Sequence, residues 1–205
     1  MKHKGLFITF EGCEGSGKSS LARYAYQYLK KRRYPVVLTR EPGGTKLGEQ
    51  IRDLLLNVAT SNLDGVGELL LYCAARQQIV KEVIRPALMT GKIILCDRFA
   101  DSTRAYQGFG ERIDKRLIEK VIRIATGGLQ PNITFLADVP VELGLKRAGR
   151  GDRIEKKSLV FHRRVRTGFL SLAKKHKKRF VVIDSRGTID PMKVKVKEKL
   201  DAILH

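Results

Sequence analysis

Gly12, Gly17, Lys18 and Ser19 fall at the spacing G-x-x-x-x-G-K-S, with Cys13, Glu14, Gly15 and Ser16 between the glycines. Residues in this pattern form a phosphate cradle. Backbone N–H groups of the glycine-rich turn point at phosphate oxygens, and the helix N-terminus behind them adds positive potential. Lys18 is placed to reach the outer phosphates of a nucleoside triphosphate, and the Ser19 hydroxyl to ligate Mg²⁺. Glu14 adds a negative charge inside this loop. Beside phosphates alone it would be repelled, so it calls for a different neighbour, such as a nucleoside hydroxyl.

Asp97 and Arg98 close an apolar run, Ile93-Ile94-Leu95-Cys96. A carboxylate there can organise Mg²⁺ through water, and the arginine fork suits a second phosphate. Tyr72 and Arg76 are four apart and share a helix face. A base stacked on such a ring gains about 1–3 kcal/mol, while the arginine can donate to a base carbonyl. Lys146-Arg147-Ala148-Gly149-Arg150-Gly151-Asp152-Arg153 is basic and glycine-interrupted, as a closing lid over 147–153 requires.

Strands and helices must hold these groups. Leu6–Phe10 before the glycine loop reads as a buried strand, and Ser20–Arg32 after it as a helix. Pro35–Thr39, Ile93–Cys96, Asn132–Leu136 and Phe180–Ile183 repeat the short apolar pattern. Helical spacing covers Leu47–Leu56, Glu68–Leu88, Lys115–Thr126, Val141–Arg147, Ile154–His176 and Pro191–Leu204, with Pro86 loosening the second of these. Such alternation predicts a three-layer α/β domain: a five-stranded parallel sheet flanked by helices, with ligands beyond the carboxyl ends of the strands.

The chain of 205 residues fits a single domain over 1–205, and 42% hydrophobic residues supply its core. Nothing in it has the length or apolarity of a membrane span or secretion signal, so a cytoplasmic protein with no membrane partner is expected. Its three cysteines show no metal-ligand spacing and read as free thiols. A net charge of +20 attracts polyanions. Between Lys146 and Arg179, however, the aromatics are Phe161 and Phe169, too few for a strand-binding surface, so no nucleic-acid partner is expected.

Five blocks in order carry a resemblance. They are the glycine loop, Thr39-Arg40-Glu41-Pro42-Gly43-Gly44-Thr45, Leu69-Leu70-Leu71-Tyr72-Cys73-Ala74-Ala75-Arg76, Asp97-Arg98-Phe99-Ala100-Asp101-Ser102-Thr103-Arg104-Ala105-Tyr106-Gln107-Gly108, and Asp152-Arg153-Ile154-Glu155. Together the chain resembles thymidylate kinase, of the P-loop nucleoside monophosphate kinase type. The resemblance implies transfer of a phosphoryl group from ATP, with Mg²⁺, onto dTMP to give dTDP. Gly12 to Ser19 would bind ATP. Arg98 would hold the dTMP phosphate and Glu14 would meet the 3′-OH. Pro42 and Gly43 would line the sugar and base pocket, and Tyr72, at a position usually Phe, would stack on the base with Arg76 beside it. Thr103 would touch the base edge, Tyr106 would lie against C2′, and Gln107 completes the signature.

Gly15 occupies a place where some members carry an arginine, so the bacterial variant with lid arginines is implied. Arg147, Arg150 and Arg153 are its candidates, Arg150 and Arg153 foremost. With Lys18, Arg98 and Asp97 these make up the expected catalytic set. A homodimer is also implied. The rival reading is a P-loop kinase for another deoxynucleotide or a nucleoside.

Overall fold

The computed structural model describes residues 5–57, 63–149 and 151–204. Five parallel strands, β1 (Leu6–Gly12), β2 (Val36–Arg40), β3 (Ile93–Asp97), β4 (Ile133–Asp138) and β5 (Phe180–Asp184), lie in the order β2-β3-β1-β4-β5. Helices α1 (Lys18–Lys31), α2 (Lys46–Leu56), α3 (Gly65–Ile79), α4 (Arg85–Met89), α5 (Ala100–Thr103), α6 (Lys115–Thr126), α7 (Val141–Ala148), α8 (Leu159–Lys175) and α9 (Ile189–Leu204) connect and cover them.

Alternation along the strands divides the core. Ile8, Phe10, Leu95 and Phe135 face Leu21 and Leu29 of α1 and Val196 and Leu200 of α9. Phe7, Ile94 and Cys96 face Leu69 and Ile79 of α3 and Ile118 and Ile122 of α6. Leu136 meets Phe161, Val165 and Phe169 of α8. Burying each large apolar side chain contributes about 1.5–3 kcal/mol, which is why strands with two covered faces read as unbroken hydrophobic runs. Within these runs Thr9 and Thr134 pair with each other, and Glu11 is a fully buried carboxylate inside β1.

Register then sets the site. Phe10 pairs with Asp97 on one side and Phe135 on the other. The loop after β1 and the Asp97-Arg98 pair at the end of β3 therefore emerge side by side.

Two expected helices differ in detail. The long segment before β3 is α3, a π-helical turn over Val80–Ile84, and then α4. Pro86 has no N–H to give the regular ladder, and the chain widens one turn ahead of it. Helix α8 starts at Leu159 rather than Ile154 because the Ser158 side chain caps it, accepting from Phe161 N. The preceding stretch is a separate turn in which Glu155 accepts from Gly151 N, and Asp152 from Glu155 N.

Candidate active site

The first wall of the site is the loop between β1 and α1. Gly12 and Gly17 adopt φ of 146° and 83°, outside the range of ordinary side chains. Gly15 is constrained twice over: its φ is 62°, and a Cβ would stand 2.0 Å from the Gly144 carbonyl oxygen on α7. An arginine cannot occupy this position without displacing α7. The Lys18 ammonium curls back to donate to Cys13 O at 3.3 Å. Burial, and then the charge of Arg98, lower its pKa from the ordinary lysine value.

Arg98 forms the second wall. Its backbone sits at φ 69°. Its guanidinium donates to Gly12 O at 3.0 Å, Ser102 Oγ at 3.1 Å and Glu14 Oε1 at 3.3 Å. The Tyr106 ring lies beneath it, 5.1 Å from centroid to guanidinium carbon, and the Tyr106 hydroxyl donates to the same Glu14 oxygen. Burial pushes the Glu14 carboxyl up, but His162, Arg98, Lys18 and Tyr106 outweigh it and hold the group at about 2. Glu14 is therefore ionised at neutral pH. Its second oxygen, Oε2, faces His162 Nδ1 at 3.3 Å with no well-formed hydrogen bond on either atom.

Between these walls lies a cavity of about 220 Å³. Glu14, Gly15, Lys18, Ser19, Pro42, Tyr72, Asp97, Arg98, Ser102, Thr103, Tyr106 and Gln107 line it together with Asp152, Ile154 and Glu155, so all five sequence blocks meet here. Arg40 and Arg52 add positive charge to its rim, and Arg52 is fixed by donating to Pro42 O at 3.0 Å. Arg52 carried no motif signal in the sequence. Asp97 Oδ1 and Ser16 Oγ are buried without a partner, which is costly unless a ligand or ion completes them.

Beyond the glycine loop, three expected site residues among those described, Arg76, Gly43 and Arg153, do not line the cavity. Arg76 is 1% exposed and donates to Glu41 Oε2 at 2.7 Å, Thr103 Oγ1 at 2.8 Å and Phe99 O at 3.1 Å. The buried guanidinium is fully paired and braces Thr103, beside which the resemblance expects the base. Gly43 packs on Glu49, where a Cβ would come within 2.6 Å of Oε1, so it shapes the wall from outside.

The third is Arg153, where the structure departs from the lid expectation. It is 8% exposed and donates to Leu55 O at 3.0 Å and Glu68 Oε1 at 2.6 Å. Glu68 is fully buried and also accepts from Lys157 Nζ at 2.7 Å and Gln107 Nε2 at 3.0 Å. A buried carboxylate captures the nearest arginine, and that electrostatic demand is invisible in a run of basic residues. Arg147 is likewise engaged, on the carbonyls of Ser185, Arg186 and Gly187. Arg150 lies outside the described residues.

The family model for thymidylate kinase matches residues 10–196. The chain belongs to the thymidylate kinase family. Among its relatives, thymidylate kinase of Desulfovibrio desulfuricans is 44% identical over 210 residues, spanning 98% of this chain and 97% of the relative. Thymidylate kinase of Geobacter sulfurreducens is 48% identical over 195 residues, spanning 91% and 92%. In a solved structure, thymidylate kinase from Ehrlichia chaffeensis superimposes with a TM-score of 0.80 at 39% identity, covering 96% of this chain and 98% of that one. Family membership makes this chain a nucleoside monophosphate kinase that phosphorylates dTMP to dTDP. Among the described residues no helix is long and apolar enough to cross a membrane.

Proposed function

We propose that dTMP and ATP meet in one cavity between the glycine loop and Arg98, and that the phosphoryl group passes directly between them. The observation that supports this is the shared lining: Lys18 and Ser19 at one end, Arg98, Tyr72 and Thr103 at the other. ATP phosphates lie in the loop Gly12–Ser19. The dTMP phosphate lies on Arg98, its base on Tyr72 and Thr103, with Arg76 behind. The deoxyribose faces Glu14 and Tyr106, and Gln107 completes the pocket. An ionised acceptor phosphate needs no strong general base. Lys18 and Arg98 screen the charges of the two anions, and fixed donors of this kind favour the transition state because they need no reorganisation. Arg150 is proposed as the lid arginine that joins them, since Arg153 is bound to Glu68.

The residues present fit Mg²⁺. Ser19 and Asp97 supply hard oxygen donors, Asp97 Oδ1 being buried and unpartnered. Among the described residues no cluster of three His, Cys, Asp or Glu exists, as suits an ion held chiefly by phosphates and water. Bound there, Mg²⁺ would neutralise charge on the β- and γ-phosphates.

The reading includes a homodimer in the cytoplasm. Val66 and Leu70 of α3 and Leu117 and Ile124 of α6 are exposed at 44%, 55%, 40% and 78%, an apolar surface that a second copy would cover.

A coupled assay with saturating Mg·ATP across dTMP, dUMP, dCMP, dGMP and AMP tests the function. The expected result is fastest turnover of dTMP. Equal turnover of a purine monophosphate would defeat the assignment of Tyr72 and Thr103 to the base.

A further inference from the structure

We infer that Glu11 is the positioning residue of the acceptor-phosphate clamp, acting on Arg98 through the hydroxyl of Ser102. The inference rests on the proposed role of Arg98.

Arg98 is an arginine in a left-handed backbone conformation, at φ 69°. A non-glycine residue there is strained and persists only where its surroundings hold it. Its neighbours in β1 do so. Arg98 N donates to Phe10 O at 2.9 Å, and the guanidinium donates to Gly12 O at 3.0 Å. Glu11 lies between those two residues and points to the opposite face of the strand, under α5. There its Oε1 accepts from Phe99 N at 2.8 Å and Ser102 N at 3.3 Å, and its Oε2 accepts from Ser102 Oγ at 2.6 Å. One carboxylate thus ties down the residue that follows Arg98 and the first turn of α5.

The hydroxyl of Ser102 has a single hydrogen. Glu11 takes it, so the lone pairs of Ser102 Oγ are turned to Arg98 Nη1 at 3.1 Å. Without the carboxylate, the hydroxyl could turn its hydrogen toward the guanidinium and lose that bond. Burial, together with the charge of Asp101, pushes the Glu11 carboxyl up to about 7, with Ser102, Arg98 and the Phe99 amide working the other way. Measurements at pH 8 therefore see the carboxylate. Glu11 is fully buried and does not line the cavity, whereas Ser102 and Arg98 do, so Glu11 reaches the acceptor through them.

Glu11→Gln and Ser102→Ala are compared with wild type by calorimetric titration at pH 8. The ligands are dTMP and thymidine, which lacks the phosphate. Each variant is expected to bind dTMP about tenfold more weakly, the loss of one charge-assisted hydrogen bond. Thymidine affinity stays at the wild-type value, and Glu11→Gln/Ser102→Ala is no worse than the weaker single variant, since the two residues act in series. If Glu11→Gln fails to fold, Ser102→Ala, which removes one hydroxyl, carries the test. Equal loss of dTMP and thymidine would make Glu11 a structural support of α5, which carries Thr103. An unchanged dTMP affinity would remove the link altogether. Either result overturns the inference. Wild-type protein that binds dTMP no more tightly than thymidine would instead overturn the assignment of the phosphate to Arg98.

Discussion

Glu68 and Arg153 are 85 residues apart in sequence and 2.6 Å apart in space, in an ion pair whose side chains are 1% and 8% exposed. The pair joins α3, which carries Tyr72, to the turn that precedes α8. Breaking a buried pair leaves an uncompensated charge, and its removal typically costs about 3–5 kcal/mol. Lys157 and Gln107 still reach Glu68, so Arg153→Ala is expected at the lower end of that range, about 3 kcal/mol, by urea denaturation. Arg150→Ala is expected to lower kcat by about 10³. A reversal of these two outcomes would place Arg153 at the transferred phosphate.

Lys18 is held near the loop by the Cys13 carbonyl. Lys18→Ala should fold, since that contact is one partly buried hydrogen bond. It should lose about 10²–10³ in kcat, the usual cost of deleting one preorganised donor to developing charge. Steady-state kinetics with dTMP and Mg·ATP measure this. Near-normal turnover would remove the glycine loop from the reaction.

Tyr72 packs on Ile51, Leu55 and Ala75 with one face open to the cavity. Tyr72→Ala should weaken dTMP binding by about 1–3 kcal/mol, the range for one stacked base. Tyr72→Phe keeps the ring and should preserve affinity. Calorimetric titration distinguishes the two, and a similar loss in both would assign the effect to the hydroxyl rather than to stacking.

Glu14 carries a pH signature. Its carboxyl is held at about 2 in the folded protein against an ordinary value of 4.5. A depressed carboxylate binds fewer protons folded than unfolded, so its stabilisation is present above pH 4.5 and lost as pH falls toward 2. The stability gap between wild type and Glu14→Gln should therefore be constant from about pH 7 to 5 and shrink between about pH 5 and 3. Urea denaturation at these pH values reads the gap. A gap that does not change would mean that His162, Arg98 and Lys18 do not act on Glu14.

Much of this molecule was legible in its residues. The spacing of Gly12, Gly17, Lys18 and Ser19 specifies a phosphate loop because few other residues tolerate those backbone angles. Five short β-branched runs specify a parallel sheet because both its faces must be apolar. The order of blocks from Thr39 to Glu155 specified the family and the side chains around the acceptor.

Tertiary structure alone decided which charges are free to act. Arg153 and Arg76 pair with Glu68 and Glu41 from distant segments, partners that a linear reading does not show. His162 beside Glu14 and Glu11 beneath Arg98 were missed for the same reason. Glu11 did leave one sign, the one charged residue in β1. Local pattern reports backbone conformation and burial, which depend on neighbours in sequence. The pairing of a charge depends on which opposite charge the fold brings within hydrogen-bonding distance.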